Sequence, residues 1–220
     1  MLTPGKMMEI ADEMRRYSLK ILSVQEIRWA DYGKIDKKTV SFYYNGVKGK
    51  MGRKGTGFFI DKKNKGNIMS FEPIDERICK LQVKGEFNNI TFINCYAPTE
   101  DREVEEKEHF YNTLIKTSKN INKYDTKMIL GDFNAKLCKE PFLNEICGKN
   151  SLHEVTSLNR LQLAQKLNLR IMDTFFEHKR IHKTTWRVPG NRGSNQIDHI
   201  LVDGRHFSSI LDVKVCRGSN

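Results

Sequence analysis

The amino-acid sequence predicts an α/β fold in which two β-sheets pack face to face with helices outside. Strand-like apolar runs outnumber long helical patterns, which occur only near residues 4–17, 101–121 and 156–167. Helix-linked and hairpin-linked strand pairs both occur, so parallel βαβ units are expected beside antiparallel ones. Several strands carry polar residues at or near their ends, where open α/β sheets usually bind ligands. A Rossmann fold fits poorly, because its glycine-rich phosphate fingerprint is absent. At 220 residues the chain is long enough for one domain with a substantial core.

Each element has a local justification. Pro4 can occupy the first turn of a helix over 4–17, where Met7, Ile10, Ala11, Met14 and Tyr17 recur at helical spacing. Leu19–Val24 reads as a buried strand ending in Gln25-Glu26. Val40–Tyr44, Gly57–Ile60, Arg77–Val83 and Ile90–Cys95 follow as strands separated by Gly-rich and Asn-rich turns. The mixed-charge segment from Asp101 to Ile121 has an apolar side made by Val104, His109, Phe110, Leu114 and Ile121. A hydrophobic strand from Lys127 leads into Gly131-Asp132-Phe133-Asn134, and 131–151 is expected to be rich in loop. Thr156 or Ser157 can cap a helix whose buried stripe is Leu158, Leu161, Ala164 and Leu167. Leu169–Asp173, Thr184–Val188, Gln196–Val202 and Ile210–Val215 complete the expected strands.

Composition narrows the partners. Lys and Arg number 38 against 27 Asp and Glu, a net charge of +11 that steers polyanions. Ten of the basic residues fall between Asp31 and Lys65, opposed there by Asp31, Asp36 and Asp61. Phosphate contacts need many long cations and little fixed geometry, so nucleic acid is the favoured partner. The plainer alternative is a solvated pair of hairpins. Cys79, Cys95, Cys138, Cys147 and Cys216 are odd in number and lack paired-ligand spacing, which points to reduced thiols rather than disulfides or a zinc site. No apolar run has membrane-spanning length and no signal-peptide segment is evident, so an intracellular location is expected; the absence of a sorting signal does not choose between nucleus and cytoplasm, and the nucleus is the expectation put first.

The strand ends supply the chemistry. Glu26 and Asp132 are hard oxygen ligands suited to magnesium or manganese, and the expectation is that they converge on one ion facing a phosphodiester. Asn134 and Tyr96 can hydrogen-bond the reacting phosphate or its attacking water. Asp198 can orient a histidine; His199 should point to the opposite face of its strand and be packed or solvated. Arg28, Arg53, Lys54, Thr185, Trp186, Arg187 and Asn195 are candidate nucleic-acid contacts, and Trp29 and Trp186 can stack on bases or belong to a rim or core. Plainer roles exist throughout: Glu26 as an exposed carboxylate paired with Arg28, Asp132 and Asn134 as turn formers. His178 and His182 lie four residues apart near Glu177, but no helix supports metal ligation there. His153-Glu154 looks like a cap or loop element.

Seven stretches together resemble the endonuclease/exonuclease/phosphatase superfamily, and more closely the endonuclease domains of RTE-type non-LTR retrotransposons and craniofacial-development-protein-2-like proteins. They are Ser23–Trp29, Arg53–Phe58, Asn94–Thr99, Ile129–Ala135, Ser151–Glu154, Thr185–Arg187 and Gln196–His199, in the family's order. The resemblance implies a DNase I-like, four-layer α/β sandwich with two mixed sheets that cuts DNA phosphodiesters with Mg2+, or alternatively Mn2+. It makes Glu26 a metal ligand, Tyr96 the active-site tyrosine, Asp132 the carboxylate that positions water, Asn134 a neighbour of the phosphate and Asp198 the partner of an essential histidine. The family's opening Trp-Asn strand and closing Ser-Asp-His motif have no counterpart in the sequence. The expectation is therefore a partial domain over 1–220, missing the first and last family strands and with weak or no hydrolysis on its own. Alternatives are a noncatalytic DNA-binding remnant and a phosphatase on a soluble phosphoester; a reverse transcriptase domain in a parent element is the implied protein partner.

Overall fold

Phe42, Phe58, Phe59 and Ile60 are fully buried, and the strands that carry them form the centre of the first sheet. The structure, a computed structural model, describes residues 5–49, 52, 54–134, 145–152, 158–187 and 193–216. The chain divides into two compact units, the first made of Met1–Tyr96 and Ile121–Asp125, the second of Ala97–Asn120 and Thr126–Asn220.

The first unit opens with helix α1 (Lys6–Arg16), followed by strands β1 (Ile21–Gln25), β2 (Tyr32–Asp36), β3 (Val40–Asn45) and β4 (Thr56–Asp61). These strands form one sheet in the order β1-β4-β3-β2. The helical spacing of Ala11 and Met14 places both on one face, where they pack on Val40, Phe42 and Phe59. A 3-10 turn (Lys62–Asn67) then leads to β5 (Ile68–Asp75), β6 (Ile78–Val83) and β7 (Ile90–Tyr96), paired β5-β6-β7. Pro73 lies in β5 beside a register shift on the sheet edge, where its missing N–H is tolerated.

The facing surfaces of this unit are aromatic: Phe58 meets Phe92 at 6.5 Å and Tyr43 meets Phe71 at 5.5 Å between ring centroids. Two buried amides tie the sheets together. Asn94 Nδ2 donates to Val24 O (2.9 Å) and Gly57 O (2.8 Å), while its Oδ1 accepts from Gln25 Nε2 (2.7 Å). Asn45 Nδ2 donates to Asp75 O and, at 3.1 Å, to Ile78 O.

The second unit contains helix α2 (Val104–Lys119), β8 (Thr126–Asp132), α3 (Leu158–Lys166), β9 (Leu169–Ile171), the two-residue strands β10 (Trp186–Arg187) and β11 (Ser194–Asn195), and β12 (Asp198–Asp203). β12 pairs with both β8 and β9, and α2 buries Phe110 and Leu114. The α/β class is as expected, but every strand pair described within either unit is antiparallel. The first sheet in particular is not mixed, because none of its connections carries a crossover helix.

Other expectations need correction. Ile210–Val215 forms no strand: it follows a 3-10 turn at Phe207–Ser209, Leu211 is 89% exposed, and Val215 N–H donates to His182 O instead of to a ladder. The strand expected at Thr184–Val188 shrinks to Trp186–Arg187, with Val188 outside the described residues. β2 and β5 were not anticipated, because their charged and proline-containing sequences mask an extended backbone. The expected cap at Thr156 or Ser157, the first-turn role of Pro4 and most of the 131–151 loop also lie outside the described residues.

Removing the Asn94 amide deletes three hydrogen bonds at once at a buried position. Asn94→Ala is expected to destabilise the protein by about 2–4 kcal/mol, seen as a lower urea midpoint at unchanged m-value.

Candidate active site

In the first unit the site begins where β1 ends. Ile27 is fully buried, and the residues flanking it, Glu26 and Arg28, take left-handed φ values of 50° and 61°. Backbone pairing continues past the strand, from Ile27 N–H to Gly55 O (3.3 Å) and from Arg28 N–H to Lys54 O (3.0 Å). Gly55 is required at φ 112°, since an added Cβ would lie 2.5 Å from Ile27 Cγ1. Tyr96, the last residue of β7, donates its hydroxyl to Glu26 Oε1 at 2.7 Å. Arg28 Nη2 pairs with Glu26 Oε2 at 2.8 Å. Behind the tyrosine, Arg77 lies 5.4 Å from its ring centroid and donates to Tyr96 O at 3.1 Å.

These contacts set the charge of Glu26. Partial burial pushes its carboxyl up, but hydrogen bonds from Arg28 and Tyr96 outweigh that and hold it below the usual range. Glu26 is therefore ionised at neutral pH. The plain pairing with Arg28 exists, and both side chains are more than 40% exposed, so it contributes little stability. Each carboxylate oxygen keeps a further lone pair, and magnesium is commonly bound through one or two carboxylates plus substrate phosphate. Glu26 fits such a ligand. Among the described residues no group of three or more His, Cys, Asp or Glu side chains gathers to hold an ion.

In the second unit, Asp132 at the end of β8 stands directly opposite Asp198 at the start of β12. Opposed residues of an antiparallel pair project from the same face, so the two carboxylates are neighbours. Asp132 Oδ1 accepts the Asn134 N–H at 2.8 Å, and Asn134 adopts φ 49°. The turn is closed from the other side by Asn134 Nδ2 to Ala97 O (2.7 Å) and Ala97 N–H to Asp132 O (2.8 Å). Asp132 and Asn134 do form a turn, and that turn fixes both side chains.

Asp198 is held from beneath by Thr185, whose Oγ1 accepts the N–H groups of Ile197 (3.0 Å) and Asp198 (3.3 Å). Burial raises the Asp198 carboxyl above its ordinary range; the Thr185 hydroxyl bond and His199 act against the rise, and Asp173 adds to it. His199 points to the other face, as expected. It is buried there with Nδ1 2.8 Å from Asp173 Oδ2, which also accepts from Gln196 Nε2 at 2.9 Å.

The sequence profile of the Endonuclease/Exonuclease/phosphatase family matches residues 5–216. The chain belongs to this family. Craniofacial development protein 2 of Bos taurus is 28% identical over 220 residues, covering all of this chain and 37% of that protein. The chain thus spans little more than a third of that relative's length. Among solved structures, AP endonuclease LMAP from Leishmania major matches with a TM-score of 0.66 at 11% identity, over 94% of this chain and 77% of that one. The endonuclease domain of TRAS1, a telomere-specific non-LTR retrotransposon, matches with a TM-score of 0.62 at 14% identity, over 94% and 83%. The fold is of the DNase I-like endonuclease type.

Within this Endonuclease/Exonuclease/phosphatase chain, Glu26, Tyr96 and Arg28 come together in one unit, and Asp132, Asn134 and Asp198 in the other. Lys54 is engaged by Glu76 at 3.0 Å, and Arg53 lies outside the described residues. Thr185 is committed to Asp198, whereas Trp186 is 42% exposed and Arg187 is exposed on the β10–β11 hairpin, where Trp186 pairs with Asn195. Trp29 belongs to the packed aromatic group with Phe42 and Tyr44, at 5.5 and 5.1 Å. His178 pairs with Asp212 at 2.6 Å and His182 with Val215 O at 3.1 Å, and among the described residues neither belongs to a group of three or more possible metal ligands. His153 and Glu154 lie outside the described residues. Arg77 and Asp173 were missed, because in sequence they look like ordinary strand ends; only their partners reveal them.

A carboxyl raised on folding stabilises the fold below its unfolded pKa, and that contribution is lost as pH rises through the folded value. Asp198→Asn is therefore expected to raise the melting temperature by about 2–4 °C at pH 7.5, with the gain shrinking as the pH falls towards 4. Thermal denaturation of both proteins across that range checks it.

Proposed function

We propose that the chain is a divalent-metal-dependent phosphodiesterase acting on DNA, in the nucleus. Family membership supports phosphoester chemistry in general. The observation that carries the reading further is the Glu26 carboxylate, kept ionised at a strand end by Tyr96 and Arg28. Such a group is a hard oxygen donor for Mg2+ or Mn2+, which when bound supplies positive charge for a phosphate oxygen and the leaving oxygen.

The remaining residues divide the work. Tyr96 orients Glu26 and keeps it from rotating out of position. Asp132, fixed through the Asn134 turn, accepts a proton from the attacking water. The Asn134 amide spends one N–H on Ala97 O and retains a second for a phosphate oxygen. Asp198, held by Thr185, supports the same face. Trp186 and Arg187 offer a ring and a cation to the strand. The net charge of +11 favours a polyanion over a small soluble phosphoester.

Nicking of supercoiled plasmid is expected with Mg2+ and not with chelator, and Glu26→Gln and Asp132→Asn should each lower the rate by about 100-fold or more. Hydrolysis of inositol phosphates in preference to plasmid would favour the phosphatase. Metal-independent, salt-sensitive plasmid binding without any cleavage would identify a binding domain instead.

A further inference from the structure

At the other end of the first sheet from Glu26, a groove of about 640 Å³ opens between the exit of α1, the turn before β3 and the 3-10 turn after β4. Its volume is that of a ligand cleft, about 300–1,000 Å³. β1 runs from this groove towards Glu26, roughly 15 Å away at the rise of an extended strand. A ligand here leaves the Glu26 end free. The walls are held by backbone bonds, from Asp61 N–H to Lys20 O and from Lys62 N–H to Thr39 O, both 2.9 Å.

The groove has two chemical layers. Its floor is aliphatic: Ala11, Met14 and Val40 are almost wholly buried, and Leu19 is 39% exposed beside them. Its rim is cationic, with Arg15, Lys20, Lys38, Lys62 and Lys63 against a single carboxylate, Asp61. Asp61 is itself engaged by Asn64 at 3.1 Å, and Arg15 is paired with Asp12. Lys20, Lys38 and Lys63 make no ion pair among the described residues. Three cations therefore surround an apolar floor with no ion-pair partner among the described residues.

We propose that this groove binds a short acidic peptide segment that carries an aliphatic anchor. Carboxylates flanking the anchor would meet Lys20, Lys38 and Lys63, and the anchor would cover Leu19 and the floor. The lining contains no aromatic ring, so it offers no stacking platform for the bases of a nucleic-acid strand. That absence separates the groove from the exposed Trp186 ring and favours protein over nucleic acid as its occupant. The inference stands independently of catalysis.

Fluorescence anisotropy of the full chain with a labelled eight-residue peptide of alternating Glu and Leu tests it. Saturable binding is expected, weakened by about tenfold or more when the leucines become serine. The double variant Lys38→Glu/Lys63→Glu should weaken it by at least about tenfold. Leu19→Asp, an exposed substitution that spares the core, should do the same. No binding of the Glu-Leu peptide overturns the proposal, as does binding indifferent to these variants or to the serine replacement. Displacement of the peptide by an eight-nucleotide single strand or by phosphatidylserine vesicles at equal charge concentration would reassign the groove to polyanions in general and overturn it too.

Discussion

The carboxamide of Asn94 is the constraint on which the first unit depends. It is fully buried on β7, and its three hydrogen bonds reach the strand that ends at Glu26 and the strand beside it. An unsatisfied amide in that position would be costly, so the two sheets can pack only in the register that satisfies it. Tyr96 is two residues further along the same strand and Glu26 two residues beyond Val24. The clamp therefore sets the distance at which the phenol meets the carboxylate.

Electrostatics distinguishes two carboxylates of the same family fold. Glu26 is held ionised because a guanidinium and a phenol donate to it while it remains partly solvated. Asp198 is pushed the other way because burial dominates, and the Thr185 hydroxyl and His199 oppose it only in part. Neighbouring groups rather than residue type assign these tendencies, so one fold holds carboxylates of opposite tendency.

Much of this was legible in the sequence, because strand ends declare themselves locally. Apolar runs ending in Gln25-Glu26, in Tyr96 and in Asp132 each mark a polar group where a sheet stops, and the seven matching stretches identify the family. What escaped is long-range. The partner of Glu26 is 70 residues away, and the Asp173–His199 contact spans 26; no spacing rule reaches either. Local pattern also misled at Ile210–Val215, where the apolar residues join no ladder and Val215 N–H goes to His182 O instead. In β2 the reverse occurred: an alternation of exposed Tyr32, Lys34 and Asp36 conceals a strand, because an edge needs charge more than it needs apolar residues.

The left-handed backbone at Glu26 sets two effects on stability against each other. A side chain at that φ costs about 1 kcal/mol relative to glycine, and its carboxylate returns little through an exposed ion pair. Glycine there would ease the backbone but remove the carboxylate that joins the end of β1 to the last residue of β7. The strained residue thus gives up local comfort for a link between two strands.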